Sequence, residues 1–416
     1  MRLLPRREYL SLLLASTAGC SLFEGAGVPD DPGDAEGGAG PSRTQVRTTS
    51  VPDEESPSGS PVTDGAVARL LDGNLVVVSN DATAALVDPR GTSTPVQDGI
   101  DLAADSGGGR VFLPPRVVRE DGPIRPRSET GVYGFGMNVS VVDITREGVD
   151  GVRFDRSPAV HRFELDGFAL RGPGLDADTG AAIHHVRGST TADAADFHVG
   201  RLYFRRWANA VYRVDEGVGP YQCRHDYLRA DDCDAGQHRG LVEWNSSYGP
   251  ANWFGTLVAY PVADRSGANT TILHQRGGEL AVDELTVGGS AGTVVNQRDG
   301  RLRAGRIHYE PTDQRTTPRA VVSLAEAGAT SVGAVVPDSG VVDAVYELGP
   351  NCGGKTFAFD GNTRARILRA PVVVSGVPNV TRRNWYYGRR SDVLVTHGGP
   401  TTGAVRVMDD AGTGVA

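Results

Sequence analysis

The sequence predicts an all-β protein in which short strands stack coil upon coil as a solenoid. The chain of 416 residues contains 55 Gly and 25 Pro but only 3 Met, a composition that favours turn-rich β structure over a helical bundle. An apolar-x-apolar-x-x-apolar-x-apolar pattern recurs along it, as two short strands joined by a bend would require. Four copies of the pattern begin at Phe163, Phe197, Leu280 and Leu302. The last two copies are offset by 22 residues, which stacked coils require and a β-sandwich, the alternative fold, does not.

A short helix and a strand precede these coils. The stretch Thr94–Pro115 opens with Thr94, a residue type that favours a helix N-cap, and Pro95, which suits the first turn. Apolar residues follow at helical spacing, at Val96, Ile100 and Ala103. Three glycines at 107–109 end the predicted helix, and Val111–Leu113 begins a strand that two prolines end.

This stretch resembles the opening of the pectate-lyase-like superfamily, in which a capping helix leads through a glycine-rich turn into a parallel β-helix. Gly131–Gly136 is similar to the next rung of that family. The resemblance implies a right-handed parallel β-helix (solenoid) with a short N-terminal capping helix, and an activity on polysaccharides. Loops inserted on one side of such a stack are where these proteins usually build their binding sites.

The N-terminus reads as an export segment. Arg6–Leu10 resembles the twin-arginine motif, and the apolar stretch Leu12–Ala15 is shorter than the roughly 20 residues that span a bilayer. Ala18-Gly19-Cys20 resembles a lipobox, in which the cysteine accepts a lipid. We predict a signal segment at 1–19, lipidation of Cys20, and export to the outer face of the cytoplasmic membrane. The alternative is a cytoplasmic N-terminal helix.

Composition divides the remainder of the chain into three parts. Residues 20–62 are mostly Gly, Pro, Asp, Glu, Ser and Thr, which cannot bury enough apolar surface to offset chain entropy, so we predict a disordered tether. The β-helix is predicted at 63–345. Residues 346–416 are predicted to hold C-terminal coils, a cap and a frayed tail.

The charge balance argues against a general nucleic-acid-binding protein. Lys+Arg total 42 against 51 for Asp+Glu, a net charge of −9, whereas phosphate-binding surfaces need clustered positive charge. The only lysine is Lys355, so the other 41 basic residues are arginine. This arginine-rich, acidic composition resembles that of a halophilic organism with a GC-rich genome, and it means that arginine motifs arise often by chance.

Segment 223–239 contains the best candidates for catalysis, because it concentrates carboxylates and histidines. The candidates for acid, base or metal-binding roles are Asp226, Asp231, Asp232 and His238. The Asp231-Asp232-Cys233 run is similar to the acidic pair of polygalacturonases, hydrolases of the same superfamily. Glycoside hydrolysis uses two carboxyls roughly 5–5.5 Å or 6.5–9.5 Å apart. Neighbouring aspartates on a regular strand face opposite ways, so both would serve only at a turn or a distorted strand.

Two alternatives remain for this segment. Asp231, Asp232 and Asp234 are oxygen ligands of the kind that Ca²⁺ prefers, and in β-elimination by pectate lyases Ca²⁺ acidifies the proton beside a uronate carboxylate. The other alternative is a solvated acidic turn closed by a disulfide between Cys223 and Cys233, worth roughly 3 kcal/mol. Disulfides persist in exported proteins, and Cys352 would remain unpaired.

Aromatic residues concentrate in the same middle region. Trp207, Trp244 and Trp253, together with Arg239, are candidate contacts for sugar rings, although such rings more often belong to the core. His184 and His185 are neighbours that face opposite ways on a strand, so we expect a surface position rather than a ligand pair.

These features predict a cell-surface polysaccharide-active protein, a lyase or glycoside hydrolase acting on an acidic or envelope glycan. The alternative is a non-catalytic glycan-binding or structural surface lipoprotein, because fold alone does not decide function. The expected partners are a polysaccharide or surface glycan and, through the lipid anchor only, the membrane. Ca²⁺ is the single cofactor that the sequence suggests.

Overall fold

A computed structural model describes residues 72–155, 159–176, 180–187, 194–236, 238–246, 249–261, 271–289, 293–311, 321–324, 329–337, 346–348, 356–359, 373–374, 407–408 and 414–415. The signal segment 1–19, Cys20, the tether 20–62 and Cys352 lie outside these residues, so the statements about them stay predictions. Within the described ranges, no helix is both long enough and apolar enough to cross a bilayer.

The described chain is mainly β, with one short helix, α1 (Pro95–Asp105), near its N-terminal part. The first strands are β1 (Leu75–Ser79), β2 (Ala84–Val87), β3 (Gly109–Phe112), β4 (Val117–Glu120), β5 (Thr130–Tyr133), β6 (Val141–Ile144), β7 (Val152–Phe154), β8 (Val160–His161), β9 (Glu164–Asp166), β10 (Phe168–Arg171), β11 (Ile183–His185), β12 (Ala194–Ala195) and β13 (His198–Arg205). The later strands are β14 (Tyr212–Val214), β15 (Arg224–Cys233), β16 (Val242–Trp244), β17 (Asn252–Pro261), β18 (Leu273–Gly289), β19 (Val295–Pro311), β20 (Val322–Leu324), β21 (Ala329–Pro337), β22 (Tyr346–Leu348), β23 (Thr356–Phe359), β24 (Val373–Val374), β25 (Val407–Met408) and β26 (Gly414–Val415).

Twenty-two of these strands form one large mixed sheet that is mostly parallel. It begins with antiparallel pairing of β1 to β2 and to β3. Every later pair within it is parallel, as in β3–β5–β9–β13–β15–β17–β18–β19–β21–β23. A second parallel series runs β4–β6–β10–β13. A third runs β7–β11–β14–β16–β18–β19–β20–β22–β24.

The predicted register of the repeats is confirmed residue by residue. Leu280 lies opposite Leu302 in the ladder between β18 and β19, and Leu285 lies opposite Ile307. All sixteen apolar positions of the four predicted copies are buried. Since each copy alone leaves its inner face open, the neighbouring copies supply the core.

Strand β15 carries the same inward pattern, beginning at the residue just before it, Cys223. Cys223 and His225 point inward, because Val199 of β13 lies opposite His225. Asp226 therefore lies on the outside, in the bend, and does not interrupt the inward pattern. A neutral imidazole fits this aromatic core: the rings of His225 and Phe254 stack with centroids 4.3 Å apart.

The predicted helix is confirmed, with its apolar face at Val96, Ile100 and Ala103 fully buried. Its N-cap differs from the prediction, because the Thr94 side chain makes no capping hydrogen bond. The buried carboxylate of Glu120 on β4 accepts the backbone N–H of Val96 at 2.8 Å instead. Burial raises the pKa of Glu120 to about 8, although the backbone N–H groups of Val96 and Gln97 favour its charged form.

Candidate functional site

The predicted catalytic carboxylates do not form one pair. Asp226 and Asp231 lie five residues apart on β15, about 16 Å along an extended strand. Asp226 binds His198 at 3.1 Å and Arg224 at 2.6 Å, and it shares neither partner with Asp231. The extended strand therefore holds the side chain of Asp226 apart from those of Asp231 and Asp232, and the structure does not bring the three carboxylates together.

Asp231 is held by its own set of neighbours. Its carboxylate accepts the Tyr203 hydroxyl at 2.7 Å and the Arg229 guanidinium at 2.7 Å. The register of β15 shifts between Asp231 and Cys233, so the strand is distorted where the sequence analysis required it. Asp232 is exposed with a φ of +51°. Since Asp231 is already occupied by two strong donors, the two aspartates form an ionic surface cluster rather than a free acid–base pair.

The three carboxylates considered for Ca²⁺ do not converge either. Asp234 turns its carboxylate to the backbone N–H of Ala235 at 2.7 Å and closes its own turn. Across the described ranges no group of three or more His, Cys, Asp or Glu side chains is placed to hold a metal ion. The residues present therefore do not fit a calcium site at Asp231, Asp232 and Asp234.

The predicted disulfide is also corrected. Cys223 and Cys233 are free and buried. Cys223 directly precedes the ten-residue strand β15 and Cys233 ends it. An extended strand of that length spans roughly 30 Å, whereas bridged Cα atoms lie about 4.4–6.8 Å apart. Burial raises the pKa of Cys223 to about 12 and raises that of Cys233 as well. Both side chains thus act as small apolar groups in the core.

The candidate sugar-binding residues divide between core and surface. Trp207 and Trp244 are fully buried, and Trp207 donates its indole N–H to the carbonyl of Leu170, so these two rings are core residues. Trp253 is half-buried on the outside, with the Arg224 guanidinium 4.7 Å from its ring centroid. Arg239 is exposed. Of the four residues, only Trp253 and Arg239 are accessible to a ligand.

A different set of side chains forms the richest polar site on the third parallel series. Each strand enters this series through a three-residue segment, which in the long strands β18 and β19 is the first three residues. The two flanking residues of each segment are buried, so the central residue points outward. The central residues lie opposite one another in register, about 4.8 Å from strand to strand. This polar row consists of Arg153, His184, Arg213, Glu243, His274 and Asn296.

At one end of the polar row, His184 joins three successive coils. Its Nδ1 and Nε2 atoms lie 3.1 Å from carboxylate oxygens of Asp150 and Asp215 respectively. Burial acts to lower the pKa of His184, but these two hydrogen bonds outweigh it and raise the pKa. Burial likewise acts to raise the pKa of Asp215. The hydrogen bond from His184 is the largest of the effects that outweigh burial and hold this pKa at about 2. His185 points into the core, so the two histidines face opposite ways as predicted, but neither is exposed.

In the middle of the row, Glu243 is an ionised and nearly buried carboxylate. His238 Nδ1 lies 3.2 Å from Glu243 Oε2, and His238 Nε2 lies 3.5 Å from Arg213 Nη1. Burial acts to raise the pKa of Glu243, but hydrogen bonds from His238 and Asn245 outweigh it and hold the pKa at about 2. His238, predicted to act with the aspartates of β15, therefore contacts Glu243 and Arg213 of this row instead.

At the other end, His274 is neutral and unpartnered. Only 1% of it is exposed, and neither ring nitrogen has a hydrogen-bond partner among the residues that the structure describes. Burial, together with the charges of Arg239, Arg298 and Arg276, lowers its pKa to about 4 against the opposing charge of Glu243. These three arginines are exposed, and none forms a salt bridge with another described residue.

The sequence analysis missed most of this row. Its signal is an apolar-polar-apolar triplet in only three of the six strands, Val152–Phe154, Tyr212–Val214 and Val242–Trp244, whereas the other three have a polar third residue, as in Ile183–His185. The spacing between central residues is uneven, at 31, 29, 30, 31 and 22 residues. A three-residue strand carries too little periodicity to stand out, and turns of unequal length hide the repeat.

Comparison with models of known protein families, with curated proteins and with solved structures finds no significant match to this chain.

Proposed function

We propose that the chain winds as a right-handed parallel β-helix of the pectate-lyase-like kind and that its polar row binds an acidic polysaccharide. Three parallel series that each join successive segments of the chain support the winding. The N-terminal motifs support an exported protein anchored through a lipid on Cys20. In this proposal the row lies at the outer face of the cytoplasmic membrane, where it meets an envelope glycan.

The observation that carries the proposal is the positive end of the row. Arg239, Arg276 and Arg298 surround the neutral His274 and are not engaged by carboxylates of described residues. Guanidinium groups bind carboxylates and sulfates through paired hydrogen bonds. A row that continues over several coils also has the length to contact several sugar residues of one polymer, so an extended anionic glycan fits it better than a small anion.

A second candidate function is β-elimination on the same glycan. It is favoured by His274, a neutral imidazole with two unpartnered nitrogens next to arginines that neutralise a uronate carboxylate. The base would take the proton beside that carboxylate, and the leaving glycosidic oxygen would depart with the bond electrons. Because 1% of His274 is exposed, substrate reaches it only if covering side chains move. Binding is therefore the function that the geometry supports better.

The test compares polymers and matched arginine variants of the full chain. We expect polyuronates to bind in affinity electrophoresis and neutral glucan or mannan to bind more weakly, with the difference shrinking in high salt. The double variant Arg239→Gln/Arg298→Gln should lose at least about tenfold in affinity. The control Arg301→Gln/Arg306→Gln removes two exposed arginines of β19 that pair with glutamates and should bind normally.

The same samples separate binding from catalysis. Equal loss in both double variants, or no affinity for any acidic glycan, would overturn the proposal. If unsaturated products form and His274→Asn stops their formation while binding persists, the lyase candidate gains. If binding occurs without any product, the lyase candidate fails and the binding proposal stands.

A further inference from the structure

A pocket of about 350 Å³ opens beside the polar row. It lies just after β14 and β16 and along the first part of β18 and β19. Its volume is in the lower part of the range of ligand sites, roughly 300–1,000 Å³. The lining residues that matter here are Glu216, Asn245, Arg276, Gly278, Asp299 and Gly300. Its size suits one sugar residue rather than a long segment of polymer.

The floor of this pocket is bare backbone held in a fixed shape. Gly278 and Gly300 have φ values of +64° and +89°, which L side chains rarely adopt. A Cβ atom on Gly300 would lie 2.5 Å from the carbonyl oxygen of Gly278. Beneath them, Gln275 donates its side-chain amide to the carbonyl of Gly278 at 3.3 Å, and Gln297 donates to that of Gly300 at 3.2 Å. The floor is therefore preorganised and free of side chains.

The walls offer more acceptors than cations. Glu216 and Asp299 contribute two exposed carboxylates against the single guanidinium of Arg276. Asp299 Oδ1 accepts the Gly300 backbone N–H at 2.7 Å, which fixes this carboxylate at the rim. Two carboxylates to one cation disfavour a free anion. They suit a ring of hydroxyls, which donate to carboxylates and accept from a guanidinium.

Asn245 connects the pocket to the polar row. Its side chain hydrogen-bonds to Glu243, while its Oδ1 atom is buried with no partner among the described residues. Buried polar atoms in stable proteins are almost always hydrogen-bonded. Asn245 therefore leaves one unsatisfied acceptor where the pocket meets the polar row.

We infer that this pocket binds one neutral sugar residue through its hydroxyls. This residue lies next to the acidic sugar residues of the same glycan, which bind to the polar row. The inference rests on the proposed function and makes it more specific. The glycan would be a heteropolymer in which a neutral hexose-type residue adjoins anionic ones. The glycine floor contacts the sugar ring, and Asp299, Glu216 and Arg276 read its hydroxyl pattern.

The experiment uses the full chain and small probes. Methyl glucoside, methyl galactoside, methyl mannoside and methyl glucuronide are titrated by saturation-transfer NMR. We expect at least one neutral hexoside to bind with preference among the three epimers, and the glucuronide to bind more weakly than the glucoside. Asp299→Asn should weaken the best hexoside about tenfold, and Glu216→Gln should weaken it as well. The control Asp283→Asn removes an exposed carboxylate of β18 that lies outside the pocket.

Three outcomes would overturn the inference: no hexoside binds, the glucuronide binds more tightly than the glucoside, or Asp299→Asn behaves like Asp283→Asn. Polyuronate binding is measured on the same samples, and we expect Asp299→Asn to retain it. If any of these three outcomes is found while the wild-type chain still binds polyuronate, the sugar-binding role of the pocket is rejected and the proposed function stands. Absence of polyuronate binding in the wild-type chain rejects the proposed function instead.

Discussion

Replacing Tyr212 by phenylalanine removes the centre of a hydrogen-bonded chain inside the core. The Tyr212 hydroxyl lies 2.9 Å from His185 Nε2 and 3.0 Å from His225 Nε2, and all three side chains are fully buried. His225 Nδ1 lies 3.2 Å from the carbonyl of Trp253, which only accepts, so this nitrogen carries the proton. His225 Nε2 therefore accepts from Tyr212, and Tyr212 accepts from His185.

The magnitude follows from what Tyr212→Phe leaves behind. The ring contacts remain, including those with Trp244 and Phe254 at 6.0 and 5.5 Å between centroids. The donor on His185 and the acceptor on His225 both become buried and unpaired. Each such group costs roughly 1–3 kcal/mol, so we expect the free energy of unfolding to fall by about 4 kcal/mol. That is a large part of the roughly 5–15 kcal/mol that stabilises a typical domain.

Equilibrium unfolding in urea, followed by tryptophan fluorescence, measures this loss as a shift in midpoint at constant slope. Tyr260→Phe is the matched control, because its ring lies on the outside of β17 and its hydroxyl makes no hydrogen bond to a described residue. A difference of less than about 1 kcal/mol between the two variants would refute the pairing of the buried imidazoles.

Two further predictions concern the pH dependence of stability and the reactivity of the two buried thiols. Because burial holds the pKa of His225 at about 3 and that of His274 at about 4, the unfolded chain binds protons below pH 6.5 that the folded chain does not. The contribution of these two groups to the free energy of unfolding is fully present above pH 6.5. Between pH 7 and pH 5 the contribution of each histidine should fall by about 2 kcal/mol. Glu120, whose raised pKa stabilises the folded state as the pH falls, opposes this loss in the total. The difference in urea midpoint between the wild-type chain and His274→Asn isolates the share of His274. That difference should change by the equivalent of about 2 kcal/mol between pH 7 and pH 5, and a difference that stays constant would contradict the prediction. Cys223 and Cys233 should resist alkylation in the native state and react fully in denaturant without reductant; a bridge between them in mass spectrometry would show the thiol assignment to be wrong.

The sequence predicted the register of the long strands because that information is local. In Leu280–Val287 and its counterpart Leu302–Tyr309, alternate inward residues and a two-residue bend repeat at a constant offset. Apolar side chains at those positions are buried only when the two segments lie side by side in one register. The sequence pattern therefore determines the pairing of the two segments. The helix at Pro95–Asp105 was predictable for the same reason.

The candidate site was not predictable in this way. Density of acidic residues pointed to Asp226 and Asp231, yet an extended strand holds them apart, and each is paired to other side chains. His238 was recognised as a candidate, but its partner Glu243 was not. Nothing local to either residue reveals that they meet.

From the sequence by itself follow an all-β chain, its first helix, the pairing of the repeated coils and an N-terminus with export motifs. Only the tertiary structure determined that Glu243 and His274 stand in one row and that the two cysteines lie apart. The physical reason is that inward residues obey a burial rule that can be read along the chain. Outward residues become neighbours through the parallel pairing of strands whose connecting segments differ in length, and no pattern within one strand encodes that.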